Sequence, residues 1–244
     1  MNDFPNLKQQ VSAEGFTIVD DIFDAAEVAS ILSMIGGSDK LGTKSENADG
    51  MFGIRRFITK FPELPTEIFN KTLKGLINDL FGDEYFVVKS IYFDKPPASN
   101  WFVAYHQDLS IAVREKVTVQ GYGPWSSKPE GFAVQPPLEI LENNFTIRIH
   151  LDDADENNGA LKVVPSSHSR GICRTATIDW ETERQVTCKV KKGGIMIMRP
   201  LLLHASGRTT NGQRRRVIHI EFSSHNLPSP LQWAEVFPLS VALA

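Results

Sequence analysis

Arg215-Arg-Val-Ile-His-Ile-Glu-Phe222 is the most informative segment of this chain. Its β-branched and aromatic residues predict a strand, and period-two alternation puts Arg215, His219 and Glu221 on one face with Ile218, Ile220 and Phe222 on the other. Similar runs occur upstream, at Phe86 to Phe93, Val113 to Gln120, Phe145 to Leu151, Ala160 to Val164, Val186 to Val190 and Ile195 to Met198. Short strands in such succession predict a sandwich or barrel. Ahead of them, Gly15 to Val19 reads as a short strand. Asp24 with Glu27 three residues on forms a capping-box pattern for a helix carrying Val28, Ile31, Leu32 and Ile35. Gly36-Gly37 stops that helix, and the polar residues 38 to 50 read as a mobile surface loop. A second helix is predicted from Pro65 to Leu80, because Phe69, Leu73, Leu76, Ile77 and Leu80 recur on one face.

The expected organisation is therefore one domain over 1–244, with an N-terminal helical flank of about 1–85 and a long inserted loop of about 121–144. That loop holds Gly121, Gly123, Pro124, Pro129, Gly131, Pro136 and Pro137, but also Trp125, Phe132 and Leu138. Such a segment reads equally as a lid or as a packed surface loop.

Bulk properties narrow the function. The chain has 244 residues, 41% of them hydrophobic, which suffices for one substantial core. A formal net charge of −3 gives no basic footprint for nucleic acid or an anionic membrane, so a small-molecule substrate is the expectation. The two cysteines, Cys173 and Cys188, form no C-x-x-C pair and read as free thiols. The opening Met-Asn-Asp-Phe-Pro lacks the pattern of a signal peptide, and no apolar run is long enough to span a bilayer. A cytoplasmic protein is expected; oligomeric state is not legible.

Six histidines raise the question of a shared metal. His106-Gln-Asp108 offers two ligands on one side of an extended segment. Alone, such a tripeptide is more often a local hydrogen-bonding pair. His204 ends the apolar run Gly193-Gly-Ile-Met-Ile-Met-Arg-Pro-Leu-Leu-Leu203, read as a strand pair broken by Pro200. Such a histidine is otherwise a satisfied core residue. Arg215 follows eleven residues later, and a buried arginine needs an anion, its planar fork suiting a carboxylate. Two histidines and one carboxylate leave coordination positions open, as in iron(II) oxygenases, whereas structural zinc takes four closed ligands.

The chain resembles the phytanoyl-CoA dioxygenase family, within the iron(II)/2-oxoglutarate oxygenases, from Phe16 to about Trp233. The resemblance rests on Phe93-Asp-Lys-Pro-Pro97, Asn100-Trp101, His106-Gln-Asp108, Arg148-Ile-His-Leu-Asp-Asp153 leading to Asn158-Gly159, Pro165-Ser-Ser-His168, and Met198-Arg-Pro-Leu-Leu-Leu-His204 followed by Arg215-Arg216. It implies a mainly β fold: a double-stranded β-helix, or cupin-like jelly-roll, with flanking α-helices and Fe(II) in its open mouth. It implies that His106, Asp108 and His204 bind the iron, that Arg215 holds the distal carboxylate of 2-oxoglutarate, and that Ser206 supports it. Gln107 and Ile91 fall where relatives line the co-substrate pocket. Dioxygen and a small molecule would be the other reactants, with hydroxylation the expected outcome because Asp108 completes the ligand set.

Two features depart from the family. Arg148 stands where some relatives carry an aromatic; it reads either as a binder of co-substrate or acidic substrate, or as the partner of Asp152 or Asp153. Pro165-Ser-Ser-His168 lacks the usual glycine, and His168 reads as a loop-fixing residue. Arg214 and Arg216 read as a solvated strand face and His219 as a core polar residue or, less often in such a place, one that supports the metal ligands, while Trp125 and Lys128 are candidate substrate contacts. The alternatives in other classes are a non-catalytic jelly-roll that binds a ligand, and a zinc-dependent hydrolase.

Overall fold

A computed structural model of the chain describes residues 4–37, 45–46, 52–97, 101–128 and 131–240. The N-terminal third contains α1 (Phe4–Glu14), β1 (Phe16–Val19), α2 (Ala25–Gly36), β2 (Ser45–Glu46), β3 (Phe52–Arg55), α3 (Phe57–Lys60), α4 (Leu64–Ile68) and α5 (Lys71–Phe81). Next come β4 (Phe86–Lys95), β5 (Val103–His106), β6 (Ile111–Val113), β7 (Trp125–Lys128), β8 (Gly131–Val134), α6 (Leu138–Asn143) and β9 (Phe145–His150). The chain continues through β10 (Leu161–Val163), β11 (Val186–Thr187), β12 (Ile195–Met198), β13 (His204–Ser206), β14 (Arg215–Ser223) and β15 (Phe237–Pro238).

The strands form a jelly-roll. The major sheet runs β1-β12-β9-β14-β4-β3-β2, with β15 also beside β4; the minor sheet runs β11-β10-β13-β5. In the major sheet, alternation sorts the side chains unusually. Phe145, Ile147 and Ile149 of β9, Ile195 and Ile197 of β12, and Ile218, Ile220 and Phe222 of β14 turn outward into one cluster with α2 and α5. Stacking of Phe145 on Phe222, centroids 4.7 Å apart, sits in that layer. Arg148, Arg215 and His219, which alternate with these residues, are left facing the space between the two sheets. The main apolar core thus lies outside the jelly-roll, beneath the helices, and the polar face of the sheet is buried against a cavity.

The capping box at Asp24 is present: its carboxylate accepts from Ala26 N and Glu27 N, and Glu27 reaches back to Asp24 N. The second helix differs from its sequence pattern. It breaks at Phe69 and Asn70, where the Asn70 side chain accepts from Leu73 N at 2.8 Å and starts α5 afresh. The N-terminal flank is not purely helical, since β1 and β3 join the major sheet. Of the polar stretch 38–50, all but Ser45–Glu46 lies outside the described residues; that pair forms β2 against β3.

The segment 121–144 is not a long loop. It contributes β7, β8 and α6, and β8 pairs with both β6 and β7 in a separate three-stranded sheet. Its glycines and prolines mark the turns between these elements. Strand structure at Val113 ends with that residue rather than continuing to Gln120. Val117 and Val119 pack instead, half-buried, on the cluster around Leu231 and Trp233.

Candidate metal centre

Strand register brings the two candidate imidazoles together. His204 opens β13 and pairs with His106, the last residue of β5. Their ring centroids lie 4.2 Å apart. Asp108 sits beyond the strand end, not on it as the tripeptide pattern predicts; its amide donates to Pro200 O at 2.9 Å, which ties the turn before β13 to the turn after β5. Leu201 to Leu203 form part of that turn rather than a strand. The Asp108 carboxylate then stands 3.9 Å from His106 Nε2 and 3.7 Å from His204 Nε2. One ligand atom from each residue lies within 4.8 Å of the others.

Hydrogen bonding sets the tautomers. His106 Nδ1 is 2.9 Å from Ala104 O and His204 Nδ1 is 2.9 Å from Leu202 O. Carbonyls only accept, so each Nδ1 carries a proton, and in the neutral tautomer each Nε2 presents its lone pair towards Asp108. Burial lowers the His204 pKa to about 4 against the pull of Asp108, which keeps the ring neutral. Burial alone would raise the Asp108 carboxyl, but His204, Lys89, His219 and His106 outweigh it and hold it well below the usual carboxylate range. Asp108 Oδ2 is buried without a hydrogen-bond partner among the described residues.

These groups line a cavity of about 470 Å³ between the sheets. Arg215 lines it too, 6% exposed, donating through Nη2 to Ser206 Oγ at 3.2 Å. Ser206 Oγ itself donates to Gly159 O at 2.9 Å, so its lone pairs face the guanidinium. Arg215 Nε and Nη1 are buried and unpartnered among the described residues. Burial, followed by repulsion from Arg148, lowers the Arg215 pKa to about 9. Ile91 faces the same cavity.

Other residues named from the sequence are positioned differently. Gln107 turns away from the cavity: its Nε2 donates to Leu201 O and Gly171 O, and its Oε1 accepts from Cys173 N. Against the expectation that it lines the co-substrate pocket, it ties the turn after β5 to the segments at Gly171, Cys173 and Leu201. Arg148 lines the cavity and meets His219 rather than an acid, because Asp152 is taken by Arg216 and Asp153 by Lys192 N. Arg214 likewise pairs with Asp94, so neither it nor Arg216 is simply solvated. His219, read as core, lines the cavity. His168 fixes a loop through Ser12 O at 3.1 Å. Trp125 belongs to the three-stranded sheet and packs with its apolar cluster, away from the cavity. Lys128 ends β7 in that sheet, and Asn100 lies outside the described residues.

Sequence reading missed Lys89 and Lys95, which line the cavity from β4. Their signal was available, since Lys89, Ile91, Phe93 and Lys95 share one face at period two. Arg55, delivered by β3, carried no such signal.

Both cysteines are free. No helix among the described residues is long and apolar enough to cross a membrane.

Comparison with known proteins agrees with this architecture. Phytanoyl-CoA dioxygenase domain-containing protein 1 of Danio rerio is 25% identical over 167 residues, a match that takes in 61% of this chain and 49% of that protein. The chain thus spans about half the length of that relative. Among solved structures, EctD from S. alaskensis in its apoform superposes with a TM-score of 0.70 at 18% identity, over 94% of this chain and 82% of its own. SnoK, a non-heme alpha-ketoglutarate-dependent carbocyclase from nogalamycin biosynthesis, gives 0.68 at 16% identity, over 91% and 84% of the two chains. At these identities the likeness is one of fold. The sequence model of the phytanoyl-CoA dioxygenase family matches residues 11–217, and the chain belongs to that family.

Proposed function

We propose that this protein is an iron(II)- and 2-oxoglutarate-dependent oxygenase that hydroxylates a small molecule and releases succinate and carbon dioxide. The observation that carries the reading is the convergence of His106, Asp108 and His204 in a cavity that also contains a buried, unpartnered guanidinium. The donor set fits a ferrous ion: two imidazole Nε2 atoms and one carboxylate, a set that leaves further coordination positions for small ligands. The orphaned Asp108 Oδ2 and the orphaned Nε and Nη1 of Arg215 fit a metal and an anion respectively.

When bound, the ferrous ion and the oxo acid supply dioxygen activation coupled to decarboxylation. The chain holds and orients. Ala104 O and Leu202 O lock the two imidazoles with Nε2 inward, and Pro200 O fixes the backbone of Asp108. Arg215 presents its unpartnered Nε and Nη1 to the distal carboxylate of the oxo acid, while Ser206, anchored on Gly159 O, holds the guanidinium through Nη2. Ile91, Phe93, Leu161 and Val217 give the cavity apolar walls that exclude water around the reacting centre. A cytoplasmic setting suits the two free thiols.

The test is anaerobic calorimetry of iron(II) and then 2-oxoglutarate, with succinate release measured in air. Wild type is expected to bind both in that order, and Asp108→Ala to lose iron binding and succinate release together. Undiminished succinate formation in Asp108→Ala would overturn the assignment.

A further inference from the structure

Arg215 accounts for only one of two buried guanidinium groups in the cavity. The other belongs to Arg148, 8% exposed, whose Nε has no partner among the described residues. Its Nη1 lies 3.0 Å from His219 Nδ1. Arginine only donates, so His219 Nδ1 accepts and its Nε2 carries the proton, directed at Glu221 Oε1 3.0 Å away. Glu221 Oε1 also takes Lys89 Nζ at 2.5 Å. Glu221 is thereby spent on Lys89 and a neutral histidine, and the Arg148 charge is favoured chiefly by Asp108, whose carboxylate belongs to the candidate metal triad.

Charge accounting extends the point and rests on the proposed oxygenase reading. A ferrous ion and Arg215 balance Asp108 and a dianionic oxo acid, which leaves nothing for Arg148. Register also anchors the two side chains at different places along β14. Arg148 pairs in register with His219, and Arg215 with Lys95, so their anchors on β14 are four residues and about 13 Å apart. Arg215 is tied to Ser206 and Arg148 to His219, so each guanidinium has its own fixed contact. At the Arg215 end, Lys95 gives its ammonium to the carbonyls of Trp101 and Gly207.

The Arg148 end has somewhere to lead. His219 and Glu221 there stand within 4.8 Å of Asp108, ligand atom to ligand atom. A second cavity of about 140 Å³ lies next to the first, with Arg55, Lys89 and Ile91 in the walls of both, and its other walls include Val88, Val113 and Phe132 along with Glu235. We propose that Arg148, steadied by His219, binds the acid group of the substrate, and that this substrate is an amphipathic carboxylic acid whose apolar body passes Asp108 and Ile91 into the second cavity. His219 is a positioning residue in this arrangement, since it holds the guanidinium rather than the acid.

The test uses octanoate and its neutral isostere octanamide as probes, titrated calorimetrically into the full-length protein, both metal-free and loaded anaerobically with iron(II) and 2-oxoglutarate. Wild type is expected to bind octanoate about tenfold or more tightly than octanamide, the worth of one charge-assisted contact. Arg148→Gln, which retains a donor for His219, should erase that preference while leaving 2-oxoglutarate affinity within about threefold. Arg148→Lys should restore much of it, and thermal melting checks that each variant folds. Equal binding of the two probes to wild type overturns the proposal, as does an Arg148→Gln variant that loses 2-oxoglutarate affinity and keeps the octanoate preference. Failure of iron or 2-oxoglutarate to bind would strike the oxygenase reading instead, because the probe preference is also measured without them.

Discussion

Replacing Arg215 by Gln separates a binding role from a structural one. In the ligand-free protein this guanidinium is buried with Nε and Nη1 unpartnered and Arg148 nearby. Its pKa is lowered from the usual guanidinium range to about 9, so keeping it charged costs the fold up to about 5 kcal/mol. The folded state holds the proton less tightly than the unfolded chain. The cost is therefore present in full below the folded pKa and is relieved only as pH rises from about 9 towards the usual guanidinium range. At neutral pH, Arg215→Gln should leave the ligand-free protein as stable as wild type or more so, each kcal/mol gained appearing as about 2–4 °C in melting temperature. Affinity moves the other way: losing charge-assisted hydrogen bonds worth about 1.5–3 kcal/mol should weaken 2-oxoglutarate binding about ten- to hundredfold. The assay is thermal melting of both proteins with and without iron(II) and 2-oxoglutarate, backed by calorimetry. A ligand-free Arg215→Gln protein several kcal/mol less stable than wild type would refute the reasoning, as would a variant still fully stabilised by the oxo acid.

Gly159→Ala should weaken 2-oxoglutarate binding without touching it: at φ +81° the new Cβ would lie 2.5 Å from Gly207 O and 2.8 Å from Lys95 Nζ, displacing the loop whose carbonyl anchors Ser206. Calorimetry should show weaker 2-oxoglutarate binding, and denaturant melts a loss of about 1–3 kcal/mol. Stability should fall as pH drops from 6.5 towards 4, since buried His204 has its pKa lowered to about 4 and His150 and His219 are lowered in the same direction. The unfolded chain binds protons first, so urea midpoints in the metal-free protein should decline across that window; a flat profile would contradict the burial of these rings. Phe145→Ala, which removes a fully buried ring stacked on Phe81 and Phe222, should cost about 3–5 kcal/mol by the same measurement.

Local patterns carried much of this protein. Alternation along Phe145 to His150 and Arg215 to Phe222 identified two central strands of the major sheet, and the Asp24 and Glu27 pair marked the start of α2, because these signals depend on neighbours a few residues apart. The residue types at His106, Asp108, His204 and Arg215 could be named for the same reason, each standing at the edge of an apolar run. Other features depend on partners far along the chain. The break at Asn70 competes with an unbroken helical stripe, and in the Gly- and Pro-rich segment from 121 to 144 the strands β7 and β8 pair with each other and β8 also with β6. Gln107 shares a tripeptide with two inward-pointing residues yet is drawn outward by Leu201 O, ninety-four positions away.

Sequence alone therefore established a β-rich chain and a short set of groups able to hold a metal and an acid, since residue chemistry and period-two spacing are local properties. Tertiary structure alone decided that His204 faces His106 across a sheet, that the major sheet turns its apolar face to the helices and its cations to the cavity, and that Arg148 is left with a neutral histidine. Pairing register and competition for counter-charges act between strands distant in sequence, and no local pattern encodes them.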